Sequence, residues 1–159
     1  MLTPFLLFII CLEAFLSMRN NLHDYKIKDT LANISVGLMS LGTGLLLKGF
    51  SILILIKVQG HSLFHFGTSV FVCVLLFLLS DLFHYCFHYL EHKSRFLWAT
   101  HSIHHSSESF NFSTGIRTPI INSFYRLLYE APLCILGFDA RMVVLVHTMH
   151  AYLWVLSAY

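Results

Sequence analysis

Residues 68–92 read TSVFVCVLLFLLSDLFHYCFHYLEH, and nine positions after His92 the chain reaches HSIHH at residues 101–105. From Thr68 to about Phe87 the side chains are mostly Phe, Val and Leu, with Asp81 the one formal charge. About 20 such residues in a helix rise roughly 30 Å, the thickness of the hydrocarbon core of a bilayer. The stretch therefore reads as a membrane-spanning helix whose last turns leave lipid carrying histidine.

Outward from this segment, further apolar stretches cover about residues 2–18, 31–56, 119–138 and 142–159. The first is interrupted only by Glu13, and no basic residue precedes Arg19. It lacks the basic start of a signal peptide and is expected to be a retained span. Gly37, Gly42, Gly44 and Gly49 punctuate the second, allowing close helix approach. Gly137-Phe138-Asp139-Ala140-Arg141 separates the last two.

Composition agrees. Apolar residues make up 57% and charged residues 11%, against roughly 45–50% and 25% in soluble domains, and mean hydropathy is +0.71. So few charges would not cover a soluble surface, and the composition excludes a disordered, collagen-like or disulfide-scaffold protein. The four cysteines form no C-x-x-C pair, and a net charge of +2 leaves no nucleic-acid footprint. The expected architecture is an all-α integral-membrane bundle of about four to five apolar helices. It forms one domain over residues 1–159, with a histidine-rich cap at 84–118. Arg19, Lys26 and Lys28 follow the first span and Lys93 and Arg95 the third, with Lys57 on the opposite side. Basic loops stay cytosolic, so the cap is expected to face the cytosol.

The chain holds 11 histidines, more than Lys plus Arg or Asp plus Glu. On a helix, residues four apart share a face, so His88 and His92 aim at one point, with His84 and Asp81 extending the stripe towards lipid. His101, His104 and His105 repeat the device at spacings of three and four. Neutral imidazole suits iron, zinc, copper and nickel, and five such rings exceed the needs of one tetrahedral zinc. The count points towards a dinuclear site. His23, His61 and His65 read as isolated polar tips. His84 reads as an outer ligand, as a donor supporting a ligand, or as a packed ring. His147 and His150 share a face of the last apolar stretch and are possible additional ligands or supporting groups.

The pattern D-x-x-x-Y-x-x-H-x-x-x-H over Asp81, Tyr85, His88 and His92, followed by H-x-x-H-H-S-S-E over 101–108, resembles the fatty acid hydroxylase/sterol desaturase superfamily. Residues 97–117, LWATHSIHHSSESFNFSTGIR, are most similar to its alkylglycerol monooxygenase-like branch. The resemblance runs from about residue 78 to 150. It implies a di-iron centre at the cytosolic end of a helical membrane bundle, held by His88, His92, His101, His104 and His105. Asp81, Glu108, Asn111 and Arg117 match recurrent polar positions that orient imidazoles, and His84 falls where relatives commonly carry Tyr. Such proteins use O₂ to hydroxylate or desaturate lipid C–H bonds. The implied partners are a fatty acyl, ether or sterol-like lipid and an external electron donor, in a bacterial inner membrane or the endoplasmic reticulum.

Tyr89 and Lys93 stand where the family usually has Arg and often Glu. Relatives carry another histidine and a last HxxHH cluster beyond the fifth apolar stretch, where this sequence has Leu156 to Tyr159. The chain is therefore expected to be the N-terminal portion of a longer family domain. The alternatives are a truncated, inactive or regulatory membrane protein, and a bis-histidine haem protein or metal transporter. Haem pairs usually bridge facing helices, which HxxHH at a helix exit does not match.

Overall fold

The computed structural model describes residues 3–20 and 25–157; His23 and positions 158–159 lie outside them. The described residues contain no strand. Their elements are α1 (Thr3–Arg19), α2 (Ile27–Gln59), α3 (Val70–Lys93), α4 (Arg95–His101), a 3-10 turn (His104–Ser106), α5 (Phe112–Gly115), α6 (Asn122–Leu136) and α7 (Ala140–Ser157).

Two helices among the described residues, α2 with 33 residues and α3 with 24, are long and apolar enough to cross a membrane. They rise about 50 and 36 Å, so each outruns a ~30 Å hydrocarbon core and carries its last turns beyond it. Ser69 caps the start of α3 by accepting from the Val72 amide. Outward-facing Leu46, Val70 and Phe71 are 76–86% exposed, an apolar coat suited to lipid. The stretch expected to span at 119–138 is a shorter helix. Its chain is still turning at Pro119, whose carbonyl accepts from Asn122, and Gly137 closes it after 15 residues, a rise of about 22 Å.

Gly137 sits at φ 119°, where a β-carbon would be strained and would also come within 2.2 Å of the Phe64 carbonyl oxygen. This turn accepts the loop between α2 and α3 through Leu63 N–H to Ile135 O and Phe66 N–H to Gly137 O. Around it Leu55, Leu76, Leu133, Phe138 and Val143 pack at no more than 1% exposure. The apolar core thus lies at the end of the bundle away from the histidines of residues 88–105. Of the four glycines of α2, Gly37 makes a close approach and Gly44 an ordinary contact. A β-carbon would meet the Ile116 carbonyl oxygen at 2.8 Å and Ser123 Oγ at 3.6 Å, whereas Gly42 and Gly49 face no described atom within 4 Å.

Candidate metal centre

The last two turns of α3 bring His88 and His92 together, with Nε2 atoms 3.1 Å apart. Ser94, extended at φ −93° and ψ 123°, ends α3 and starts α4, turning the chain back. That reversal sets the His101 ring against those of His88 and His92, with centroids 4.6 and 4.7 Å away. His105 follows, its Nε2 3.1 Å from that of His101. Ring nitrogens of His88, His92, His101 and His105 all lie within 4.8 Å of one another. Two imidazoles bound at about 2.1 Å to one ion stand roughly 3.0–3.4 Å apart, a spacing that the 3.1 Å pairs His88–His92 and His101–His105 match.

Glu91 is the residue that the spacing argument did not single out. Only 3% exposed, it places Oε2 3.2 Å from His101 Nδ1 and 3.8 Å from His88 Nδ1. Both are ion-pair distances, and His101 Nδ1 makes no hydrogen bond among the described residues, so Glu91 sets a negative charge beside the two rings without fixing their tautomers. The available signal was its place three residues after His88.

His104 stands beside the four rings, outside the group that converges. Past His101 the chain runs into a 3-10 turn, and of positions 101, 104 and 105 it is His101 and His105, four apart, that join the group. His104 Nδ1 contacts the Arg117 carbonyl oxygen at 3.0 Å, which requires Nδ1–H and leaves Nε2 with its lone pair. Partial burial, and after it the neighbouring imidazoles, push His105 down to about 4. Burial lowers His104 as well, against the opposing pull of the Arg117 carbonyl. Both rings are neutral at pH 7, the form that binds metal.

Arg117 braces this loop. Its guanidinium donates to Ile103 O, Ser106 Oγ and Asn33 Oδ1 at 2.7–2.8 Å and lies 3.5 Å from Asp29 Oδ1. Asp29 also accepts from Ser107 Oγ and the Ser109 amide, so the start of α2 holds both flanks of His104 and His105. Asn111 caps α5 by accepting from the Ser113 amide. Glu108 pairs with Lys26 at 3.0 Å on the surface, placing Lys26 at the histidine end. Asn111 and Glu108 thereby shape the loop that follows His104 and His105.

Asp81 and His84 lie deeper along α3. His84 stacks on Trp154 with centroids 3.4 Å apart, and Asp81 accepts from Trp154 Nε1 at 3.2 Å. His150 is 2% exposed between Phe77 and Trp154, with Nε2 3.9 Å from Asp81 Oδ1. His147 meets Glu130. None of these belongs to the four-ring group. His61 and His65 bond locally, to Lys57 O and Ser62 Oγ, at the opposite end.

A cavity of about 580 Å³ opens beside the cluster. His88, His101, His104 and His105 line it together with Arg126, Tyr129 and His147 from α6 and α7. Arg126 and Glu130 were also missed, although Asn122, Arg126 and Glu130 recur every four residues through an apolar stretch.

The profile of the fatty acid hydroxylase family matches residues 73–159, which include all the histidines of the cluster. Alkylglycerol monooxygenase of Danio rerio is 32% identical over 139 residues, 84% of this chain and 31% of the relative. The Homo sapiens protein of the same name is 28% identical over 136 residues, again 84% and 31%, and that of Xenopus tropicalis 26% over 133, covering 82% and 30%. The chain thus spans about a third of the length of these curated relatives. No solved structure matches it. With the family profile covering more than half of its residues, the chain belongs to the fatty acid hydroxylase family.

Proposed function

We propose that the chain carries the metal-binding part of a non-haem di-iron oxygenase that hydroxylates or desaturates lipid C–H bonds with O₂. The observation that carries this reading is the convergence of four imidazoles, two of them backed by Glu91, beside a cavity between membrane-capable helices. Iron bound there would supply the activation of O₂. His88, His92, His101 and His105 present ring nitrogens, and the Glu91 carboxylate lies beside His88 and His101. Arg117 holds the loop of His104 and His105 in register. The walls of α3, α6 and α7 keep bulk water from the space where a lipid lies.

Two irons need more nitrogens than the four that converge among the described residues. His104 stands next to them, and His84 and His147 line the same cavity. The chain covers 31% of its zebrafish relative, and we propose that the working unit is longer than these 159 residues. The name of that relative favours an ether lipid over fatty acyl or sterol-like substrates, with electrons from a separate donor. The protein is proposed to be integral to the membrane, as a single domain. Arg19, Lys26, Lys28, Lys93 and Arg95 support a cytosolic position for the histidine end.

Anaerobic titration of the complete working unit that contains these residues with ferrous iron, followed by metal analysis, tests the reading. Two irons per working unit are expected. The competing reading, a regulatory membrane protein retaining part of the site, draws on the count of convergent rings. One ion or none, with no oxidised lipid, would favour it.

A further inference from the structure

Beyond the histidines, the cavity is bordered by charges that metal binding does not use. Asn122, Arg126 and Glu130 share one face of α6, and His147 of α7 lies against it. Glu130 is 1% exposed, with Oε1 3.3 Å from Arg126 Nε and 3.8 Å from His147 Nδ1. Asn122, Arg126 and His147 line the cavity. Asn122 Oδ1, His147 Nδ1, Arg126 Nε and both Glu130 oxygens are buried and make no hydrogen bond among the described residues, so Arg126 and Glu130 meet as opposite charges only. Charges inside a membrane bundle are costly and mark a task.

The chemistry of the pair says which task. A lone guanidinium would grip a phosphate or carboxylate through two parallel hydrogen bonds. Here the guanidinium is already matched by Glu130, and Asp81 adds a second carboxylate to the cavity wall. An anionic headgroup would face that carboxylate without an unpaired cation to receive it. Hydroxyl groups would find donors and acceptors in Asn122, Arg126 and His147 at no cost in charge.

We infer that Asn122, Arg126 and His147 form a subsite for the uncharged, hydroxyl-bearing head of a lipid, and that Glu130 determines specificity by keeping Arg126 paired against anionic heads. The inference rests on the lipid-oxygenase reading for the nature of the ligand. Specificity here is built partly from a rejected alternative.

The test is equilibrium binding of a single-chain glycerol ether and of its phosphate monoester to the detergent-solubilised chain, with iron content measured on the same samples. The parent should favour the uncharged lipid by about tenfold or more. Glu130→Gln should move the ratio about tenfold towards the phosphate. An unchanged ratio in folded Glu130→Gln, or a parent that prefers the phosphate, overturns the inference. If Glu130→Gln does not fold, the paired substitution Arg126→Gln with Glu130→Gln leaves no lone charge in the bundle. It should bind the uncharged lipid about fivefold more weakly, and parent-like affinity overturns the inference. Discrimination between the lipids in samples that take up no iron would support the subsite while removing the oxygenase reading.

Discussion

The two ends of the bundle are built from opposite materials. At the Gly137 end, Leu55, Leu76, Leu133, Phe138 and Val143 are buried to within 1%, and a backbone-bonded loop closes over them. At the histidine end the buried groups are polar: Asn33, Glu91, His101, Asn111 and Ser113 are all at or below 3% exposure. Packing holds the first end, and it tolerates no polar newcomer. Directed bonds hold the second, from Asp29 and Asn33 through Arg117 to the loop of His104 and His105, whose rings burial keeps uncharged. Stability and chemistry are therefore separable along the bundle axis.

That separation can be broken from either side. The largest effect is expected for His101→Ala, which removes the ring central to the cluster. It should abolish iron uptake while far-ultraviolet circular dichroism stays helical. Leu133→Ala, at the other end, should cost about 2–5 kcal/mol in thermal unfolding in detergent and leave iron stoichiometry unchanged. Loss of iron in that variant would show that the ends are coupled. Glu91→Gln keeps the volume and removes the charge behind His88 and His101, so iron affinity should fall about 10–100-fold. Parent-like affinity would reduce Glu91 to a packing residue. The smallest effect is expected for His65→Ala, whose ring bonds only to Ser62 in the opposite loop; its iron affinity should match the parent.

Much of this was legible in the sequence because it depends on local period. The spacing of four between His88 and His92 survives because α3 runs unbroken to Lys93. The pairing of His101 with His105 survives even though the helix ends between them. His104 departs because its Nδ1 is turned to the Arg117 carbonyl, a tertiary contact that spacing alone does not announce. Glu91 was readable as the carboxylate one turn after His88 but was overshadowed by the histidine stripe. The Asn122, Arg126 and Glu130 stripe was hidden by the apolar residues around it. No local pattern reveals that Asn33 meets Arg117, a bond joining residues 84 apart, which arises only when α2 and the loop pack together. Likewise the length of α6 is set by the turn at Pro119 and the left-handed Gly137, so an apolar count overestimates it.

The central claim is that the imidazoles of α3 and of the segment after it grip shared iron. X-ray absorption at the iron edge of the loaded chain, compared with the same spectrum of His101→Ala, tests it directly. The account predicts a nitrogen-rich first shell with the outer scattering of imidazole rings, lost with the iron itself in the variant. An oxygen-dominated shell without ring scattering, or a spectrum that His101→Ala leaves unchanged, would contradict it.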